Sequence, residues 1–318
     1  MNIQMKKIAW TIVSVLFILH LCSGSLAAQG LKYPALSDNT VVLQGDSAKW
    51  DSNKVHTLSV VEVNRDGYRY WGYYGLSYYG GDANLRKGGL ARSNDLVHWD
   101  KYAGNPIING DCRWPNVIVN HSLFYMFYAE YDSENNSRIV MVSSKDGISF
   151  GNKEVVVPRE RGRQNQNPFI YLDPKDGYFN LAYYSGTERS KDTTKNVWRI
   201  KLRRSKDIAT LKDAPASILL SSRNTLAAPS LVWFDNRYYL LAEARIPGKW
   251  ESKWVTLAFQ SAKIGGKYRA TVDAGPVLSN DDACAFQYVL DGQLYIFYSH
   301  CLDDQRSNWD LRMVRAAR

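Results

Sequence analysis

The chain has 318 residues, 45% of them hydrophobic and 22% charged, which excludes a disordered or fibrous protein and allows one large domain or two ordinary ones. The formal net charge of +9 is compatible with an acidic polymer as partner, but no run of Lys and Arg has the organisation of a nucleic-acid module. Tyr (21) and Trp (10) are plentiful and few stretches carry a helical period, so the composition predicts an all-β protein.

The first 28 residues stand apart. Lys6 and Lys7 precede an apolar run from Ile8 to Leu21, and the small residues of "SGSLAA" follow. This order predicts a secretory signal peptide cut after Ala27 or Ala28, and a secreted or periplasmic protein. The apolar run is short for a bilayer span. Leu21 ahead of Cys22 is too large for a lipoprotein signal. Removal of Lys6 and Lys7 leaves a charge of +7.

The next apolar segment, "NTVVLQG" (39–45), reads as a lone strand. A longer unit then begins and recurs. It opens with an inner strand, "TLSVVEV" (57–63), and passes through the turn "NRDG" to an aromatic strand, "YRYWGYY". A polar loop leads to a third strand, "GGLARS", then to the turn "SNDLVHW" and a short outer strand, "NPII". The inner strand returns as "WPNVIV" (114–119), "NPFIYL" (167–172), "APSLVWF" (228–234) and "CAFQYVL" (284–290). The spacings from Leu58 to Pro115, Pro168, Pro229 and Ala285 are 57, 53, 61 and 56 residues. Such a period in an all-β chain predicts propeller blades. Outer strands of the next three units are "EVVV", "SILL" and "GPVL", and the fifth unit stops at its third strand. The strand at 39–45 supplies the missing piece and closes the ring. The expected fold is a single five-bladed β-propeller over residues 29–318.

In such blades the loops entering the inner strands and the loops between second and third strands meet on one face, around the axis. Carboxylates, Arg and aromatic residues are mixed in nearly all of them. That mixture suits a carbohydrate, whose hydroxyls hydrogen-bond and whose C–H faces stack on rings. Glycosidic cleavage needs a protonated and an ionised carboxyl group. No phosphate loop, nucleotide fingerprint or zincin motif occurs, and the Cys spacing matches no zinc site.

The five-unit pattern, with "SNDLVHWDKYAGNPII" (93–108), resembles the β-propeller glycosidases of glycoside hydrolase family 43 (arabinanases and β-xylosidases) and the invertase-type family 32. The resemblance spans residues 39–318 and implies an inverting glycoside hydrolase acting on a polysaccharide or oligosaccharide. It implies an Asp base before the first inner strand, an Asp before the second and a Glu acid before the third. This chain departs at all three, with His56-Thr57, Arg113-Trp114 and Gln166-Asn167 in those places. The nearest carboxylates are Asp51, Asp111 and Glu160, with Asp281 and Asp282 ahead of the fifth inner strand, and Glu130 and Glu243 ending second strands.

The expected catalytic candidates are therefore Asp51 as base, Glu243 and Asp282 as acid or tuning carboxylate, and Asp111. Expected substrate-binding residues are His56, Arg113, Trp114, Gln166, Asn167, Trp250 and His300. Cys284 precedes the fifth inner strand and Cys301 ends its neighbour, which predicts a disulfide between them and leaves Cys112 unpaired. No cofactor or metal is required, although related propellers carry structural calcium. The expected protein is a monomer without nucleic-acid or membrane partners. Two other functions use the same funnel: a non-catalytic carbohydrate-binding propeller, and either a lyase, in which His56 and Arg113 would serve as base and uronate partner, or a phosphorylase.

Overall fold

The computed structural model describes residues 32–52, 54–76, 86–134, 136–187, 197–223, 225–245, 253–271, 277–278 and 281–316. The expected signal peptide, Cys22 and Trp250 lie outside the described residues. Strand β1 (Leu36–Gln44) comes first. Blade 1 follows as β2 (Val55–Arg65), β3 (Tyr68–Leu76), β4 (Gly89–Ser93) and β5 (Trp99–Lys101). Blade 2 holds β6 (Arg113–Asn120), β7 (Leu123–Tyr131), β8 (Ser137–Ser144) and β9 (Gly151–Val157). Blade 3 holds β10 (Arg163–Leu172), β11 (Phe179–Thr187), β12 (Trp198–Ser205) and β13 (Ser217–Ser222). Blade 4 holds β14 (Leu226–Phe234), β15 (Arg237–Ala244), β16 (Val255–Ser261) and β17 (Arg269–Ala270). Blade 5 holds β18 (Ala283–Leu290), β19 (Gln293–Cys301) and β20 (Trp309–Ala316), and β1 pairs antiparallel with β20. Each inner strand packs against the next, and β18 packs against β2, so the five sheets close a ring.

Local chemistry explains the repeat. The turns after the inner strands hold consecutive residues at positive φ: His121 and Ser122, Asp235 and Asn236, Asp291 and Gly292. Two-residue turns of this kind match the right-handed twist of the strands they join. After the third strands, Asp95 Oδ1 accepts from the backbone of Val97 and His98 at 2.9 and 2.8 Å. Asp146 Oδ1 does the same for Ile148 and Ser149 at 2.8 and 2.7 Å, so one Asp at each turn holds the chain that leaves it.

Two expected outer strands are corrected. The fourth strand of blade 1 is Trp99–Lys101, not "NPII". The Asn105 side chain accepts from Leu90 N and donates to Leu90 O, both at 2.8 Å. It occupies the backbone groups that a ladder would use, and only an isolated bridge, Gly88 to Ile108, remains. In blade 4 the fourth strand is Arg269–Ala270, and Leu278 of "GPVL" forms a bridge to Thr256.

Every inner strand carries a bulge near its start, between His56 and Leu58, Arg113 and Asn116, Gln166 and Phe169, Ala227 and Ser230, and Ala283 and Phe286. The bulged residues Thr57, Trp114, Asn167, Ala228 and Cys284 all have φ between 42 and 53°. Non-glycine residues avoid that region, so five occurrences at one position of the repeat mark a constraint of the ring. Pro follows in three blades, where the bulge relieves the ladder of a donor.

Beyond the bulges, side chains tie blade to blade. Ser59 Oγ accepts from Val117 N at 2.8 Å, Asn116 Oδ1 from Ile170 N at 2.9 Å, and Ser230 Oγ from Gln287 N at 2.8 Å. The same position in blades 3 and 5 is Phe169 and Phe286. Their rings pack with centroids 5.5 Å apart, so apolar contact replaces the hydrogen bond there.

Candidate active site at the propeller axis

The five bulges surround the axis. Thr57, Trp114, Asn167, Ala228 and Cys284 line a cavity of about 330 Å³, its open mouth included. Pro115, Pro168 and Pro229 complete the wall, and Phe169 and Phe286 lie deeper. Among the described residues the lining contains no carboxylate. Trp114 and Asn167, two of the expected substrate-binding residues, both line this cavity next to Cys284. Asn167 Nδ2 donates to Cys284 Sγ at 3.7 Å, and Trp114 is near enough to the same thiol to oppose the rise in its pKa.

Glu243 stands directly behind Cys284. It ends β15 opposite Ala227, is buried, and accepts a hydrogen bond from the backbone N–H of Cys284. Burial pushes its carboxyl up to about 7, against the hydrogen bonds from Cys284 and the charge of Arg245, and Asp281 adds to the rise. Burial, and then the neighbouring Glu243, hold the Cys284 thiol well above its ordinary value, so it is protonated and no nucleophile.

The other predicted acids are placed differently. Asp51 is fully buried, but it forms an ion pair with Lys101 Nζ at 2.5 Å and accepts from Asp46 N at 3.0 Å. Lys101 belongs to the outermost strand of blade 1, so the residue expected as base is locked beneath a blade and is absent from the cavity lining. Asp111 accepts from Arg113 Nε at 2.7 Å and from Tyr131 N at 2.9 Å. Arg113 also lies 3.6 Å over the Tyr131 ring. Asp111 and Arg113 thus orient each other and a flat aromatic surface on blade 2. Asp282 Oδ1 and His300 Nδ1 share a hydrogen bond of 2.6 Å, and burial raises the Asp282 carboxyl.

His56 is buried edge-on against Trp309, centroids 4.9 Å apart, and its Nε2 has no partner. Burial pushes its imidazole down to about 3, so it is neutral. Gln166 is buried beside the bulge of blade 3. The axis therefore gathers Trp114, Asn167, Cys284 and Glu243, with His56 and Gln166 adjacent in sequence to lining residues. Asp51 is not part of the group. Cys284 is the member that sequence reasoning assigned to another role, although its place at the start of the fifth inner strand matches Asn167 and Trp114.

The expected disulfide is corrected: Cys112, Cys284 and Cys301 are all free. Ala283 pairs with Ser299, so the register sets position 281, not 284, against Cys301. The bulge then turns Cys284 toward Glu243, while Cys301 Sγ donates to Asp303 O at 2.9 Å. Among the described residues no three His, Cys, Asp or Glu side chains are grouped to hold a metal ion.

Solved structures share this architecture. An endo-arabinase from Bacteroides thetaiotaomicron matches with a TM-score of 0.62 at 15% identity, over 89% of this chain and 98% of that one. A thermostable family-43 glycoside hydrolase matches with a TM-score of 0.59 at 17% identity, over 82% and 88%. An exo-1,5-α-L-arabinanase from a bovine ruminal metagenomic library matches with a TM-score of 0.56 at 19% identity, over 82% and 92%. At these identities the likeness is one of fold, and it agrees with the five-bladed reading of the sequence. No family model matches the chain, and no curated protein matches it.

Proposed function

We propose that the protein is an exported glycoside hydrolase that takes a polysaccharide or oligosaccharide at the propeller axis, with Glu243 as the proton donor. The observation that carries this reading is Glu243 itself, a buried carboxyl group beside the axial cavity whose pKa is raised to about 7. Such a group still has a proton to give near neutral pH, where an ordinary carboxyl does not. Trp114 offers the adjoining stacking surface and Asn167 an amide for a sugar hydroxyl. Inversion requires a second group that activates water on the far side of the sugar, about 6.5–9.5 Å from the acid. Asp282, hydrogen-bonded to His300, is our candidate. The fold shared with glycosidases supports the class, and the signal-like N-terminus supports export.

One observation favours a second reading, a non-catalytic carbohydrate-binding propeller. The three places where the resembling families carry acids hold neutral His56-Thr57, cationic Arg113 with Trp114, and Gln166-Asn167. Incubation with arabinan, xylan, galactan and polygalacturonate separates the two. Hydrolysis predicts that reducing sugar appears with one polymer and that Glu243→Gln lowers the rate about 100-fold or more while retention on that polymer persists. Retention without sugar release by the wild-type protein would replace the hydrolase with the binding module. Ultraviolet-absorbing product would indicate a lyase, and a need for phosphate a phosphorylase.

A further inference from the structure

Blade 3 gathers more positive charge than it neutralises. Arg199, Lys201 and Arg203 alternate along β12 and so share one face. Arg163 opens β10. Among the described residues one carboxylate, Glu160, is ion-paired with this group, with Arg163 Nε at 3.2 Å and Lys201 Nζ at 3.8 Å. Arg203 is committed to the carbonyls of Leu211 and Lys212. Lys201 responds to its crowded surroundings: burial lowers its pKa, Glu160 opposes, and Arg163, Arg199 and Arg203 lower it further.

The same face holds buried polar atoms without partners. One cross-strand row runs from Asn165 to Ser185 and Arg199, and residues paired this way point to one side of a sheet. Asn165 and Ser185 are fully buried. Nevertheless Asn165 Oδ1, Ser185 Oγ, Arg199 Nε and Arg163 Nη1 all lack a hydrogen-bond partner. Folded proteins rarely leave such groups unpaired, and three of the four atoms, Ser185 Oγ, Arg199 Nε and Arg163 Nη1, are donors that call for an acceptor. Three donors of fixed orientation with spare positive charge match an oxyanion, and Arg is suited to it by its planar fork.

We propose that this face of blade 3 is an oxyanion subsite, in which Arg163, Arg199 and Lys201 hold the carboxylate or sulfate group of an acidic saccharide. The proposal rests on the carbohydrate reading above and narrows its substrate class. Arg163 begins the strand whose Asn167 lines the axial cavity, four residues later, at most about 13 Å along an extended chain. One oligosaccharide can therefore span both.

The test is affinity electrophoresis of the full chain in gels containing polygalacturonate, chondroitin sulfate or neutral arabinan, at a fixed salt of about 0.15 M to suppress diffuse attraction. The expected result is retention by one of the two polyanions, which identifies the group as carboxylate or sulfate. Arg199→Gln and Lys201→Gln should each weaken that retention about tenfold or more, the loss of a charge-assisted hydrogen bond. Lys263→Gln removes the same charge from an exposed site on blade 4 and should change it less than about twofold. Because a variant can misfold, a second measurement stands beside this one. The matching anion, as free galacturonate or inorganic sulfate, should raise the thermal midpoint of the wild-type protein and not that of Arg199→Gln. Absence of retention by either polyanion, or equal weakening by Lys263→Gln, overturns the subsite. Arg199-dependent retention in a protein that releases no sugar leaves the subsite standing and removes the hydrolase instead.

Discussion

The joint between blades 4 and 5 and the joint between blades 5 and 1 solve one problem with different residues. In each, the bulged residue of an inner strand directs its backbone N–H at the end of the neighbouring blade's second strand. At the second joint Ser299 Oγ accepts from Thr57 N at 3.0 Å. At the first, Glu243 accepts from Cys284 N. The two acceptors are equivalent, because Glu243 pairs with Ala227 and Ser299 with Ala283, each one residue before a bulge. A hydroxyl therefore satisfies the bulge without charge. The carboxyl at Glu243 does the same and adds a group whose ionisation is opposed by burial. The excess chemistry at one joint and not the other is why we propose Glu243 as the proton donor. Asp51 is the useful contrast, since it is buried as deeply but compensated by Lys101.

The largest effect is expected where burial and pairing coincide. Asp51→Ala leaves the Lys101 ammonium, only a quarter exposed, without its partner, and should cost about 3–4 kcal/mol of stability. Urea unfolding measures this. Sugar binding at the axis should survive wherever the variant is folded. A small stability loss together with lost binding would return Asp51 to the site and dissolve the contrast with Glu243.

Glu243→Gln should act in the opposite direction, and only at higher pH. The folded carboxyl has a pKa raised to about 7, against about 4.5 when unfolded. Below pH 4.5 it is protonated in both states and contributes no pH dependence. Between pH 4.5 and 7 the unfolded chain ionises first, so the fold loses stability as pH rises. Glutamine has no such loss. The variant should match the wild type near pH 4.5 and exceed it by up to about 3 kcal/mol at pH 8. The difference between the two proteins is the quantity to follow, because His56 tilts the wild-type curve the other way. Its pKa is lowered to about 3 by burial, so that stability is lost as pH falls from about 6.5 towards 3. A difference that stays flat from pH 4.5 to 8 would mean that burial does not raise the Glu243 carboxyl and that the proton donor must be sought elsewhere.

The ring and its closure are legible in the sequence because they rest on local chemistry repeated five times. Turn residues such as Asp235-Asn236 and Asp291-Gly292 specify their own geometry, and the spacing of the inner strands counts the blades. "NTVVLQG" could be assigned to blade 5 because that unit alone lacked an outer strand. The outer strands of blades 1 and 4 were misread because Asn105 and Leu278 look like ends of apolar runs, and only their hydrogen bonds show otherwise. Asp51 was misplaced because its partner, Lys101, lies 50 residues away, and no local pattern announces an ion pair. The Cys284–Cys301 pairing failed on register, because Ala283 pairs with Ser299 and Cys301 therefore faces position 281, three residues from Cys284. A bulge moves every later side chain, and its trace in sequence is faint, although Pro115, Pro168 and Pro229 mark the three equivalent places.

The smallest effect belongs to the plain joint. Ser299→Ala leaves Thr57 N–H buried without an acceptor and should cost about 1–2 kcal/mol. Nothing that titrates is removed, so this cost should be the same at pH 4.5 and pH 8, measured by the same urea unfolding as for Glu243→Gln. The pair of variants then separates the two contributions at one structural position, the hydrogen bond that any acceptor supplies and the ionisation that only Glu243 adds. Sugar release should be lost with Glu243→Gln and retained with Ser299→Ala. Equal loss from both would mean that the joints matter through the shape of the bulges, and that the carboxyl is one more way of holding a strand.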